Sequence, residues 1–287
     1  MKQIKKLSDG EIAELIRLSG KLREKCLEMI HNAKSGHPGG NLSAIDLMLV
    51  LYKNVINHCC EWDCSPEWDK RDRFVLSKGH ASAALYCVLA ECEYFLEDEL
   101  MSFRRLGTRL QGHPNCNCVP GVEIPSGSLG QGLSMANGIA LSLRLDKSNA
   151  KVFVMLGDGE LQEGQVWEAA MSAAHYKLNN VIAIVDRNRL QIDGCTEDVK
   201  AIEPLADKWR AFGWEVLEIN GHDFQQIYTA YNEAINLGEA TSRPIVIIAN
   251  TIKGKGVSFM ENNAGWHGKA TKQEEFIKAV EELRGKC

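Results

Sequence analysis

Two polar side chains follow neighbouring apolar segments that alternate with predicted helices. Asp158 follows the segment 152–156 and stands between two glycines, and Asn188 follows the segment 181–185. If both segments are parallel strands, their carboxyl ends open on one crevice, where α/β sheets bind ligands. A carboxylate, an amide oxygen and a carbonyl can hold magnesium when a diphosphate supplies the remaining oxygens. These residue types at the ends of neighbouring segments therefore predict a metal and diphosphate site at this crevice.

The elements around this site alternate in type. Continuous Val- and Ile-rich runs between helices indicate a parallel sheet with helices on both faces, an α/β fold, and no internal domain boundary is visible in residues 1–287. The predicted strands are 73–77, 152–156, 181–185, 215–219 and 244–250. The predicted helices are 12–34, 43–56 with Ser43 as N-cap, 81–91, 97–103, 129–145, 163–176, 206–212, 224–237 and 272–284. Residues 111–128, rich in proline and glycine, are predicted to form an ordered loop.

Composition excludes several classes of protein. The chain has 287 residues, 45% of them hydrophobic, and a formal net charge of -5 with scattered basic residues. This argues against a nucleic-acid-binding protein. The start has no apolar signal region, and no apolar run reaches the roughly 18 residues of a membrane helix. We therefore expect no membrane association and a cytoplasmic protein.

Ten cysteines are many for such a chain. Without a secretory signal they are interpreted as free thiols rather than as a disulfide framework. Cys59 and Cys60 with Cys64, and Cys116 with Cys118, are conceivable zinc ligands. Their spacings match no usual zinc pattern, so we do not expect a structural metal there.

Several segments together resemble one enzyme family. The Gly-Asp-Gly at 157–159, followed by Asn188, resembles the thiamine diphosphate motif, and the surrounding residues narrow the resemblance to transketolase. The further matching segments are 35–40, 76–80, 112–114, 127–132, 157–167, 190–194, 251–256 and 266–269. The resemblance covers roughly residues 12–269. It implies a thiamine diphosphate-binding domain that transfers two-carbon ketol units from a ketose to an aldose.

The resemblance also implies which residues bind the cofactor and its metal. Asp158 and Asn188 are expected to bind Mg²⁺ (or Ca²⁺ or Mn²⁺) by their side chains, and Leu190 by its carbonyl. The residues expected at thiamine diphosphate are Gly127, Ser128, Leu129, Gly159, Glu160, Asn188, Lys253 and Lys269. Gly127 and Gly130 have an alternative interpretation as turn glycines, and the two lysines one as solvated loop charges.

Four histidines lie in glycine-containing loops: His37, His80, His113 and His267. In the family these positions contact the reacting hydroxyls of the sugar and the cofactor. Imidazole can move protons and stabilise an alkoxide near neutral pH. The other histidines, His31, His58, His175 and His222, match no family motif and are interpreted as structural.

This sequence departs from the family pattern at its end. A full-length transketolase continues through a pyrimidine-binding and a C-terminal domain, whereas this sequence stops at Cys287. We expect a second polypeptide to supply those domains, in an α2β2 enzyme. Glu163 and Glu168 are expected near the contact between two such domains, although acidic residues also simply favour a helix N-terminus.

Two other functions are possible from the sequence. One is the α-type subunit of a thiamine diphosphate enzyme acting on 2-oxo acids, which would not need this set of sugar-facing histidines. The other is a non-catalytic binding protein with the same fold. Such a protein would be expected to have lost the metal ligands or the histidines, and both sets are intact here.

Overall fold

The structure is a computed structural model that describes residues 4–60 and 68–285. Its helices are α1 (Asp9–Ala33), α2 (Pro38–Asn54), α3 (Ser82–Glu91), α4 (Gln131–Leu145), α5 (Gly164–His175), α6 (Thr196–Lys200), α7 (Leu205–Ala211), α8 (Phe224–Thr241) and α9 (Gln273–Arg284). Its strands are β1 (Arg73–Leu76), β2 (Val152–Gly157), β3 (Val181–Arg187), β4 (Leu190–Gln191), β5 (Gly194–Cys195), β6 (Glu215–Asn220) and β7 (Ile245–Asn250).

Five strands form one parallel sheet in the order β1-β2-β3-β7-β6. Every residue of the central strands β2 and β3 is buried. Alternate side chains enter two different cores, because successive residues of a strand point to opposite faces. Phe153 and Met155 pack with α1, α2, α3 and α8, whereas Val152 and Val154 pack with α4, α5 and α7. The predicted parallel α/β sheet covered on both faces is confirmed.

The prediction of a helix over 43–56 with Ser43 as N-cap is wrong at its start. Helix α2 begins at Pro38, a residue suited to the first helical turn, and Ser43 lies inside it. Two glycines in the first turn obscured this start, since glycine disfavours helix. They are needed for packing: a Cβ on Gly39 would meet Lys253 Cγ at 2.9 Å, and one on Gly40 would meet His80 Nε2 at 3.3 Å.

Other boundaries differ by a few residues. Helix α1 begins early because Ser8 and Glu11 form a capping box. Helix α4 begins at Gln131 rather than at 129, because Gly130 has a left-handed backbone with φ of 86°. The helix predicted over 97–103 is a 3-10 turn, Glu97–Ser102.

The eight cysteines that the structure describes are free thiols, as predicted: Cys26, Cys59, Cys60, Cys87, Cys92, Cys116, Cys118 and Cys195. Cys64 and Cys287 lie outside the described residues. In residues 4–60 and 68–285 no three His, Cys, Asp or Glu side chains are grouped to hold a metal. None of the described helices has the length and apolarity required to cross a bilayer.

Candidate functional site

Most of the predicted site residues line one cavity of about 170 Å³ at the carboxyl ends of β2 and β3. Those residues are His80, Leu129, Asp158, Gly159, Glu160, Asn188, Leu190, Lys253 and His267. A larger, open depression of about 790 Å³ lies at the other end of β1 and β2, around Asp69, Asp72 and Asp146. No predicted site residue lines it, so the smaller cavity is the candidate site.

The predicted metal ligands Asp158, Asn188 and Leu190 all line this cavity. Asp158 is 1% exposed, and its Oδ1 accepts a hydrogen bond from the Gly159 amide over 2.8 Å. The Leu190 amide donates to Asn188 Oδ1 over 3.2 Å, which orients the Asn188 side chain. Burial and then the nearby charge of Asp186 raise the pKa of Asp158. A buried carboxylate, an amide oxygen and a carbonyl, with a charge that favours a cation, fit Mg²⁺.

Lys253 brings the positive charge that a diphosphate requires. Its side chain is buried, with the residue 2% exposed, and Nζ donates to the Leu190 carbonyl over 3.2 Å. Burial and the Lys78 ammonium lower its pKa to about 8, so the ammonium form still dominates at pH 7. Because its side chain is buried, Lys253 is not the solvated loop charge of the alternative interpretation.

Arg187, which was not predicted from the sequence, pairs with the Asp158 oxygen that Gly159 does not contact. Its guanidinium is buried and its Nη1 lies 3.2 Å from Asp158 Oδ2. Its Nη2 pairs with Glu197 at 3.1 Å and Glu203 at 2.8 Å. The two further carboxylates keep Arg187 from neutralising Asp158 fully. An arginine between a buried strand and an expected metal ligand was the available signal in the sequence.

Glu160 joins the loop after β2, residues 157–159, to the glycine-rich loop, residues 127–132. One of its carboxylate oxygens accepts from the Gly130 amide and the other from the Gly157 amide, each over 2.9 Å, and Ser77 Oγ donates to it as well. Both carboxylate oxygens of Glu160 are therefore already hydrogen-bonded within the protein. Any contact of Glu160 with a diphosphate stays a prediction.

The glycine-rich loop requires glycine at two positions because its backbone has positive φ angles there. Gly127 has φ of 138°, and a Cβ there would meet the His113 ring at 3.0 Å. Gly130 is left-handed, and a Cβ there would meet Glu163 Cβ at 2.9 Å. Both are therefore turn glycines, whereas contacts of Gly127 and the exposed Ser128 with the cofactor stay predictions.

A buried ion pair between Lys78, which lines the cavity, and Asp186 was also not predicted from the sequence. Lys78 is 1% exposed, and its ammonium donates to Asp186 and, over 3.0 Å, to the Gly40 carbonyl. Asp186 accepts further hydrogen bonds from Ser43 Oγ, at 2.7 Å, and Thr251 Oγ1. Burial opposes the charge on Asp186, but Lys78 outweighs it and the pKa of Asp186 is lowered. The pair ties β1, α2, β3 and the loop after β7 together.

We expect Lys78→Met to lower the free energy of unfolding by about 3–5 kcal/mol, because it leaves the buried Asp186 charge without its cation. Urea unfolding followed by circular dichroism measures this. Arg210→Met is the control: Arg210 pairs with Asp207 at 2.8 Å on the surface, where such pairs contribute about 0–1 kcal/mol. Equal destabilisation by the two variants would contradict this account of Lys78.

The four predicted histidines converge at the cavity, which His80 and His267 line. The ring centroid of His37 lies 5.3 Å from that of His80, 6.5 Å from His113 and 5.6 Å from His267. The centroids of His80 and His267 are 5.2 Å apart. The buried Nδ1 atoms of His37 and His267 find no hydrogen-bond partner among the described residues. These two ring nitrogens are thus not used in hydrogen bonds within the described part of the protein.

These imidazoles are neutral at pH 7. Burial, then the Arg104 charge, lowers the pKa of His37 to about 4, and burial, then Lys253, lowers that of His267 to about 3. Burial likewise lowers the pKa of His80 and of His113. Each neutral ring offers one N–H donor and one acceptor nitrogen. The cluster can therefore accept and donate protons at ligand hydroxyls.

Lys269 is not brought to the cavity. Its ammonium pairs with Glu275 at 3.1 Å and lies 4.1 Å from the centre of the Trp266 ring, with the side chain 49% exposed. A role of Lys269 at the cofactor stays a prediction. Glu163 lines the cavity rim. Both Glu163 and Glu168 are exposed. Their place at a contact between two such domains also stays a prediction.

Comparison with known proteins places this site in context. The family described as the transketolase thiamine diphosphate-binding domain matches residues 16–285. The chain is 42% identical over 266 residues to one subunit of an apulose-4-phosphate transketolase from Phocaeicola vulgatus, covering 92% of each chain. It is also 42% identical to one subunit of a 6-deoxy-6-sulfo-D-fructose transketolase from Clostridium sp., covering 91% of this chain and 93% of that polypeptide.

Longer proteins match over part of their length. The transketolase of Campylobacter jejuni superposes with a TM-score of 0.87 at 36% identity, over 94% of this chain and 42% of that one. The human transketolase is 35% identical over 99% of this chain and 44% of its own. The chain thus spans less than half of these proteins, but nearly all of the two bacterial subunits named above.

Proposed function

We propose that this chain, which belongs to the transketolase family, is the cofactor-anchoring subunit of a two-chain transketolase. The observation that carries the proposal is the cluster of four neutral histidines at a cavity lined by Asp158, Asn188 and Leu190. It combines oxygen ligands for a metal with groups for proton transfer at sugar hydroxyls. We also propose that residues 1–287 form one diphosphate-binding domain.

Thiamine diphosphate, when bound, supplies the nucleophilic carbon to which the two-carbon ketol unit is transferred. The residues of this chain hold and orient it. Asp158, Asn188 and the Leu190 carbonyl would bind Mg²⁺ at the diphosphate, and the Lys253 ammonium would face the same anionic group. Leu129, which is 36% exposed at the cavity, offers apolar surface for a ring.

The histidines act on the sugar. An unprotonated ring nitrogen can take the proton of a sugar hydroxyl as the C–C bond breaks, and a ring N–H can stabilise the developing oxygen charge. Because the pKa of His37 is about 4 and that of His267 about 3, both stay in the required neutral form from pH 5 upward. A 2-oxo acid carries no such hydroxyls, so the cluster favours a ketose donor.

The substrate class is proposed from the relatives. One of them is named for a phosphorylated sugar and another for a sulfonated one. We therefore propose a ketose donor with a distal acidic group. The test is the assembled enzyme, given ketose phosphates, a sulfonated ketose and pyruvate with an aldose acceptor. Ketol transfer from a ketose supports the proposal, whereas turnover of pyruvate alone would establish the 2-oxo acid alternative.

His113→Ala is expected to lower turnover by about 10²–10⁴-fold, the range for a group that transfers a proton or stabilises an oxyanion. Thiamine diphosphate affinity should stay close to that of the unmodified chain, because the His113 ring is not among those lining the cofactor cavity. Steady-state kinetics with saturating cofactor measures this. His175→Ala, at the exposed end of α5, is the control and should leave turnover unchanged. Full turnover in His113→Ala would remove this residue from the catalytic set.

The second polypeptide is proposed on two grounds. Relatives of matching length are named as single subunits of transketolases rather than as whole enzymes. Large apolar side chains are also exposed at the cavity, since Ile192 is 68% and Leu129 36% exposed. A partner that covers them would bury the remainder of the cofactor. The α2β2 stoichiometry is part of this proposal.

A further inference from the structure

A series of hydrogen bonds leads from helix α1 to the backbone beside Lys253. The Ile252 amide donates to His222 Nε2 over 2.8 Å, and His222 Nδ1 lies 2.8 Å from Asp46 Oδ2. Both terminal nitrogens of Arg23 also donate to Asp46, to Oδ1 over 2.9 Å and to Oδ2 over 2.8 Å. His222 itself is not among the residues that line the cavity. His222 therefore acts on the site only through the backbone amide of Ile252, the residue before Lys253.

The partners of His222 fix its tautomer. A backbone amide can only donate, so Nε2 must be the acceptor nitrogen. Nδ1 then carries the ring proton and donates it to Asp46. Burial alone would raise the pKa of Asp46, but the Arg23 guanidinium and the His222 hydrogen bond outweigh it and hold the pKa well below its usual range. The ionised Asp46 thus keeps the acceptor face of His222 toward Ile252.

The loop that carries Lys253 is anchored at successive residues. Thr251 Oγ1 donates to Asp186, and the Gly254 amide donates to the Gly39 carbonyl over 3.0 Å. Between these two anchors, the Ile252 amide is held by His222. The Lys253 side chain leaves the loop directly after this contact and ends 3.2 Å from the Leu190 carbonyl. A rotation of the Ile252 peptide would therefore displace the ammonium.

We propose that His222, oriented by Asp46 and Arg23, is a positioning residue that holds the Lys253 ammonium toward the diphosphate of the cofactor. The proposal rests on the proposed function, because thiamine diphosphate is the ligand concerned. It assigns a role to a histidine that the sequence analysis interpreted as purely structural. The role is distinct from catalysis, since His222 contacts neither the cavity nor the histidine cluster in the described residues.

The test measures thiamine diphosphate affinity, with magnesium, in the assembly of this chain with its second polypeptide. His222→Ala should weaken the affinity about tenfold, which corresponds to about 1.4 kcal/mol. His222→Leu, which keeps the buried volume but has no acceptor, should do the same, and His222→Gln should restore most of the affinity through its amide oxygen. Amide hydrogen exchange over residues 251–256 should be faster in the Ala and Leu variants only.

A double-mutant cycle separates this role from general stabilisation. If His222 acts through Lys253, adding His222→Ala to Lys253→Ala should cost little further affinity. His31→Ala is the matched control: its ring stacks on Phe276 and contacts Thr271, away from the cavity. The inference would be overturned if His222→Ala lowered the affinity equally with Lys253 present and with Lys253→Ala, or if neither His222→Ala nor His222→Leu changed the affinity. Either result would leave the proposed function standing. Absence of binding by the unmodified assembly would overturn both.

Discussion

Replacing Asp158 by alanine is expected to weaken thiamine diphosphate binding by at least about 100-fold and to abolish its dependence on magnesium. The carboxylate is the charged member of the proposed ligand set and is 1% exposed. Removing one member of a buried charge pair costs about 3–5 kcal/mol, and about 2.8 kcal/mol already corresponds to 100-fold in affinity. Arg187 would also lose a partner at 3.2 Å and add repulsion to the metal.

Titration of the cofactor with and without Mg²⁺, followed by tryptophan fluorescence, measures this effect. Asp193→Ala is the matched control, because Asp193 lies in the exposed turn between β4 and β5, close in sequence to the ligands but turned to solvent. Asn188→Ala should behave like Asp158→Ala with a smaller loss, since it removes a neutral ligand. Magnesium-dependent affinity that persists in Asp158→Ala would refute the assignment of the metal site.

The shared position of the proposed metal ligands at one cavity was predictable from the sequence because it depends on strand order alone. Parallel pairing sets Gly157 opposite Asp186, so the side chains that follow the two strands meet at one edge. The periodic apolar segments located the strands, and the residue types at their ends indicated the ligands. Resemblance to a family then indicated the histidine loops, which no local pattern brings together.

The supporting contacts were not predictable, because they join residues that are distant in the chain. Lys78 pairs with Asp186 across 108 positions, and Ser77 reaches Glu160 across 83. Nothing local in the sequence separates such a buried charge from a solvated one. The start of helix α2 was missed for the same reason, since Gly39 is required there by the approach of Lys253, which lies far along the chain.

Ketol transfer is expected only when this chain is combined with its second polypeptide. The cavity of about 170 Å³ is smaller than the roughly 300–1,000 Å³ of sites that enclose a ligand of this size, so part of the cofactor would stay in water. Solved transketolases match this chain over only about two fifths of their own length. The groups of this chain that face the cofactor are suited to its diphosphate end and to the sugar hydroxyls.

A coupled ketol-transfer assay on separately expressed chains tests this requirement. Each chain alone should show the background rate, and titration of one with the other should restore activity to a plateau at equal amounts, as α2β2 requires. Ile192→Asp should weaken the assembly, because Ile192 is 68% exposed at the cavity rim and an apolar partner surface would have to bury the new charge. Leu145→Asp should leave assembly intact, because Leu145 is 84% exposed at the end of α4 that leads into the start of β2, opposite the cavity. Transfer by this chain alone, at a rate proportional to its concentration, would contradict the two-chain enzyme, since a site that one chain completes has no use for a partner.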